Sequence, residues 1–144
     1  MQTGHVGLNV TDLARSAAFY TRVLGLERLG QGEEPGRYAF LGRDGQLVLT
    51  LWEQSEGGFP TRLPGLHHLS FQVDSMDEVR AAEATLRELG TEPLHDGPVA
   101  HREGAGSGGI FFTDPDGIRL EIYTPQGADA LTAPAGAAPT CGFF

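Results

Sequence analysis

Two stretches of this chain repeat one another residue against residue, and that repeat limits the folds open to it. His5-Val6-Gly7-Leu8-Asn9-Val10 alternates with a period of two, placing Val6, Leu8 and Val10 on one face and His5, Gly7 and Asn9 on the other. His68-Leu69-Ser70-Phe71-Gln72-Val73 alternates in the same phase, with His68, Ser70 and Gln72 opposite the apolar residues. An N-cap signal and an amphipathic helix follow each strand. Thr11 and Asp12 precede a helix over about residues 13–24 that carries Leu13, Ala17, Tyr20 and Leu24 on one stripe, with Gly25 as the stop. Ser75 and Glu78 make a capping-box pattern before Val79, Ala82, Leu86 and Leu89, with Gly90 as the second stop.

Each half then closes on a hairpin. Tyr38–Leu41 and Gln46–Trp52 read as strands around a Gly42-Arg43-Asp44-Gly45 turn, and Gly109–Thr113 and Ile118–Tyr123 as strands around Asp114-Pro115-Asp116-Gly117. The order predicts an α+β fold of paired βαβββ modules, module one over about residues 4–54, a linker over 55–65 and module two over about 66–125. At 144 residues the chain is too short for two conventional domains, and each half is too small to bury its own sheet face. The halves are therefore expected to share a core as a single domain over residues 1–125 or to pair with another subunit. Residues 126–144 turn rich in Ala, Gly, Pro and Thr and read as a tail, although the terminal Phe143 and Phe144 suggest docking on this domain or a neighbour.

Charge excludes several functions. The formal net charge is −9 and the chain contains no lysine, so there is no basic cluster for nucleic acid, no Schiff-base amine and no P-loop lysine. No stretch approaches the roughly 20 apolar residues of a membrane helix, and no export signal opens the sequence, so a cytoplasmic location is expected. The single Cys141 has no partner for an intrachain disulfide.

Alternation also selects the residues able to do chemistry. His5, His68 and Glu121 each lie on the less apolar face of a strand, and on one curved sheet they would converge on its concave side. Two imidazoles and a carboxylate are a donor set that leaves open positions on a divalent metal. His67 competes with His68, but a shift of one residue turns it to the opposite face. Thr50, Trp52, Ser70 and Arg119 are the expected substrate-pocket residues; Trp52 is equally suited to a core or dimer contact. Asp114 and Asp116 are read as turn residues.

These stretches, together with Ser16-Ala17-Ala18-Phe19-Tyr20-Thr21-Arg22-Val23-Leu24-Gly25 and Asp114-Pro115-Asp116-Gly117-Ile118-Arg119-Leu120-Glu121, resemble the vicinal oxygen chelate superfamily over about residues 4–125. That superfamily includes glyoxalase I, bleomycin-resistance proteins, fosfomycin-resistance enzymes and extradiol dioxygenases. The resemblance implies a glyoxalase/bleomycin-resistance/dioxygenase fold, in which each module gives a curved mixed sheet around a metal cavity. It also implies His5, His68 and Glu121 as metal ligands, a small-molecule substrate or drug as partner, and a homodimer. The ion implied is Fe2+ or Mn2+, with Zn2+, Ni2+ or Co2+ as alternatives.

Glyoxalase I-like proteins usually add a fourth ligand at a position that falls here on Thr50 or Leu49, neither a substitute ligand. Glu53, three residues beyond Thr50, is expected to face the other side. Fosfomycin-modifying relatives use a threonine where Gly7 stands and a lysine this chain lacks. A three-ligand site fits extradiol-dioxygenase-like ring cleavage better, and there His101 (His95 less so) and Tyr123 would be the acid–base groups. The alternative is a drug-sequestering protein of the bleomycin-resistance kind.

Overall fold

The computed structural model describes residues 1–33 and 36–135. It forms two four-stranded sheets, each mixed and each with one helix, as the paired βαβββ modules implied. The paired βαβββ order is present. The compact units are Met1–Pro60 with Asp114–Gly117, and Thr61–Thr113 with the chain from Ile118 onward.

In the first unit, β1 (Val6–Asn9), β2 (Glu27–Gly32), β3 (Tyr38–Arg43) and β4 (Gln46–Trp52) are arranged in the order β1-β4-β3-β2. β1 runs parallel to β4, with Val6 beside Leu49 and Leu8 beside Leu51. Leu8, Leu49 and Leu51 are buried with Ala17, Tyr20 and Val23 of helix α1 (Leu13–Leu24). Asp12 caps α1 by accepting from the Arg15 amide, and Gly25 closes it with φ of 63°. The expected turn before β4 is tighter than the sequence suggested. β3 runs on through Arg43, leaving Asp44-Gly45 as a two-residue turn with φ of 51° and 74°.

On the other face of this sheet, Gly7 lies beside Thr50, Thr50 beside Phe40 and Trp52 beside Tyr38. The Tyr38, Phe40 and Trp52 rings form a half-buried cluster, with centroids 4.8 Å apart for Tyr38–Phe40 and 5.2 Å for Tyr38–Trp52. Gly32, paired with Tyr38, makes room for it: a Cβ there would run into the phenol ring.

In the second unit, β5 (Leu69–Gln72), β6 (Val99–Ala100), β7 (Gly108–Thr113) and β8 (Arg119–Thr124) follow the order β5-β8-β7-β6. β5 is parallel to β8. Helix α2 (Met76–Glu88) begins with the expected capping box, in which Ser75 and Glu78 bond each other's backbone amides. Val79, Ala82 and Leu86 of this helix join Leu120, Ile122, Ile110 and Phe112 in the core.

The tail begins by folding back onto this unit. The Ala128 amide donates to Gly106 O at 2.8 Å, the Ala100 amide to Thr132 O at 3.2 Å, and Ala128 is fully buried. The docking expected of Phe143 and Phe144, and the free Cys141, lie outside the described residues.

The turn joining β7 to β8 belongs to the first unit. Asp114 does accept locally, from the Asp116 amide at 2.9 Å, and Gly117 has φ of 85°. Both carboxylates also reach far along the sequence. Tyr20 Oη donates to Asp114 at 2.9 Å, while Asp116 accepts from the Thr11 amide at 2.9 Å, the Thr11 hydroxyl and Arg15 at 2.6 Å. The reading of these residues as turn formers was incomplete, because such partners follow from tertiary contact.

Candidate metal centre

Glu121 is the centre of the second unit's polar face. It pairs in register with Ser70 on one side and Phe111 on the other, so these side chains leave the sheet opposite the helix. Its side chain is only 5% exposed. Two imidazoles approach it. His68 Nε2 stands 3.5 Å from Oε2, and His101 Nε2 stands 2.6 Å from Oε1.

The two distances describe different chemistry. Two ligands each about 2.1 Å from a shared ion, at angles near tetrahedral or octahedral, stand about 3.0–3.4 Å from one another. The His68–Glu121 separation is close to that edge and is long for a hydrogen bond. The His101–Glu121 separation is a charge-assisted hydrogen bond, too short for two donors to one ion. The donor pair His68–Glu121 therefore suits a divalent ion. Among the described residues, no group of three or more His, Cys, Asp or Glu side chains is gathered as a ready metal site.

Electrostatics favour the same pair. Burial alone would raise the Glu121 pKa, but hydrogen bonds from His101 and Ser70 and the nearby imidazoles hold it below the ordinary carboxylate value. Burial lowers the His68 pKa, assisted by His67 and Arg119 and opposed by Glu121. An ionised carboxylate beside a neutral imidazole is the protonation state that a metal requires of its ligands.

The remaining expected residues fall as follows. His5 is exposed, immediately precedes β1 and belongs to the first unit. His67 is exposed, with Nδ1 2.8 Å from Nδ1 of His68. Tyr123 Oη donates to Gln72 Oε1 at 2.9 Å, and its ring lies 5.6 Å from that of His101. Ser70 bonds Glu121, and Arg119 pairs with Thr113 two residues before Glu121 on the same strand. Thr50 is buried and accepts from Trp52 Nε1 at 3.2 Å.

His95 meets Phe111 edge to face with ring centroids 5.6 Å apart, and its buried Nε2 has no hydrogen-bond partner among the described residues. Glu53 is engaged elsewhere, accepting from the Leu13 amide at the start of α1 at 2.6 Å and pairing with Arg37. Sequence reasoning did not foresee the direct bond between His101 and Glu121. They are twenty residues apart across a loop, and no periodicity connects them.

A fold of two βαβββ modules, with imidazole and carboxylate on the sheet face opposite the helix, is the one that the family resemblance implied. The chain belongs to the Glyoxalase/Bleomycin resistance protein/Dioxygenase superfamily, whose family model matches residues 2–122.

It is 33% identical to the uncharacterised protein YwkD of Bacillus subtilis, over 83% of this chain and 93% of that protein. It is 31% identical to catechol-2,3-dioxygenase of the same organism, over 85% of this chain but only 41% of the dioxygenase. A lactoylglutathione lyase of Neisseria meningitidis is 30% identical, over 92% of this chain and 97% of the lyase. Among solved structures, a glyoxylase/bleomycin resistance protein/dioxygenase domain from Frankia sp. EAN1pec superposes with a TM-score of 0.72. That pair is 28% identical and the match covers 86% of this chain and 91% of that one.

Proposed function

We propose that this chain is a divalent-metal-dependent enzyme acting on a small substrate with two neighbouring oxygens, and that its reaction is extradiol-type ring cleavage. The observation that carries the reading is the buried Glu121 carboxylate facing His68 at a metal-ligand spacing. In this reading His5, from this chain or from a second copy of it, is the third ligand beside His68 and Glu121. The ion is Fe2+ or Mn2+ and would supply Lewis acidity toward the paired substrate oxygens. Both atoms of dioxygen enter the product as the ring bond beside the diol breaks.

The chain's own residues have separate tasks. Tyr38, Phe40 and Trp52 offer a cluster of tilted aromatic rings to a planar substrate, with Thr50 holding the indole N–H. Arg119 offers a cation to the substrate oxygens, and Tyr123 is the proton donor. The kinship with a catechol dioxygenase supports this choice. The kinship with lactoylglutathione lyases favours a different reaction, but the position of a fourth ligand holds Leu49, buried on the helix side, or Thr50, already bonded to Trp52. Neither supplies a carboxylate or an amide. A homodimer in the cytoplasm completes the reading.

The test is oxygen uptake by protein reconstituted anaerobically with Fe2+ and then offered a panel of substituted catechols. Uptake matched by a coloured ring-opened product, and absent from Glu121→Ala, supports the enzyme. The aromatic cluster favours a second reading, drug sequestration. Tight binding of a planar aromatic drug unaffected by chelator, without turnover of any diol, would favour that instead.

A further inference from the structure

The metal reading leaves unexplained why a second histidine occupies the carboxylate. An ionised carboxylate only accepts hydrogen bonds, so His101 donates from Nε2 to Oε1 of Glu121 at 2.6 Å. On the far side of the ring, His101 Nδ1 lies 3.1 Å from Ser107 Oγ. In the neutral tautomer Nδ1 accepts from the Ser107 hydroxyl, which fixes both the ring's orientation and the nitrogen that carries the proton. Ring packing holds the imidazole in place, with Phe111 at 6.2 Å and Tyr123 at 5.6 Å.

The loop bearing His101 is itself tied down. The His101 amide donates to Ser107 O at 3.0 Å, closing the loop on itself. Residues 126–133 then cross it as a strap. Ala100 is bonded to Thr132, Gly106 to Ala128, and the Ala133 amide donates to Glu103 Oε2 at 3.5 Å. This strap lies beyond residue 122, where the match to the family model ends.

We propose that His101 is a positioning residue for Glu121, occupying Oε1 so that Oε2 is the one oxygen presented toward His68, with Ser107 and the 126–133 strap fixing His101 in turn. The proposal rests on the reading of His68 and Glu121 as metal ligands. A carboxylate held this way binds an ion through one oxygen instead of two. Hydrogen bonds of this kind to a metal ligand typically change affinity by about 10–100-fold when removed.

The experiment uses the full chain and Co2+, whose visible spectrum reports the number and geometry of its ligands. Affinity is measured by competition with a chelator for the parent, His101→Ala, His101→Gln, Ser107→Ala and His68→Ala, with thermal melting to confirm folding. The expected result is a loss of about 10–100-fold in His101→Ala, with a changed visible band. His101→Gln, whose amide nitrogen can replace Nε2 as donor, should restore most of the affinity and the parent band. Ser107→Ala should fall between.

Parent affinity and an unchanged band in His101→Ala would overturn the proposal while leaving the metal reading intact. A loss as complete as in His68→Ala, unrelieved by Gln, would make His101 a ligand and also overturn it. No Co2+ binding by the parent would overturn both. Should His101→Ala fail to fold, Ser107→Ala decides: reduced affinity with a changed band supports the proposal, and parent affinity with the parent band overturns it.

Discussion

Tyr20 donates its buried phenolic hydrogen to Asp114 Oδ2 at 2.9 Å, joining helix α1 to the turn between β7 and β8. Burial pushes the Tyr20 pKa well above its ordinary value, and the Asp114 and Asp116 charges add to the effect. A raised folded-state pKa contributes stability that is complete below the unfolded pKa and is lost as pH rises through the folded one. For a tyrosine that window opens at about pH 10. The melting temperature of the parent should therefore fall more steeply above about pH 10 than that of Tyr20→Phe. At neutral pH Tyr20→Phe should be less stable by about 1–3 kcal/mol, since a buried carboxylate loses a donor. Parallel melting curves from neutral to alkaline pH would contradict this.

Asp116 holds the start of α1 from across the sequence, accepting from the Thr11 amide and hydroxyl and from Arg15. Asp116→Ala leaves the Thr11 amide without its partner and should cost about 1–3 kcal/mol, read as a lower urea midpoint with an unchanged slope. Arg15 is half-exposed, so Arg15→Ala should cost less, about 0–1 kcal/mol.

Trp52 is the only tryptophan in the chain and sits against Tyr38 and Phe40. A planar aromatic ligand that stacks on this cluster should quench or shift its emission without any need for turnover. Trp52→Leu should weaken binding of such a ligand by about two- to tenfold, taking a stacked ring pair as about 0.5–1.5 kcal/mol. A titration in which a bound aromatic ligand leaves the emission unchanged would move the substrate elsewhere.

His5 is exposed, so His5→Ala should leave stability within about 0.5 kcal/mol of the parent. Metal affinity should nevertheless fall by well over tenfold if His5 is the third ligand. Equal affinity in His5→Ala and the parent would remove it from the site.

What was legible in the sequence is what depends on local period and local chemistry. The alternation after His5 and His68, the Ser75–Glu78 capping box and the stops at Gly25 and Gly90 require no partner from elsewhere. β2 was not foreseen because Glu27-Arg28-Leu29-Gly30-Gln31-Gly32 is largely exposed and glycine-bearing, so it carries no apolar alternation. β6 has two residues, too few for any periodic signal. Alternation put Glu121 and Ser70 on a common face, but it could not show that His101 meets Glu121. That contact depends on a loop whose path is set by Ser107 and by the residues of the strap. Asp114 and Asp116 have adequate local roles, which hid their bonds to Tyr20 and Thr11.

The central claim is that Glu121 and His68 hold a metal ion, and the most direct test is elemental analysis of protein purified without chelators, alongside Glu121→Ala and His68→Ala. The account predicts near-stoichiometric iron or manganese in the parent, or after reconstitution, and its loss from both variants. A parent that holds no divalent metal even after reconstitution, or variants that retain the parent's content, would contradict it.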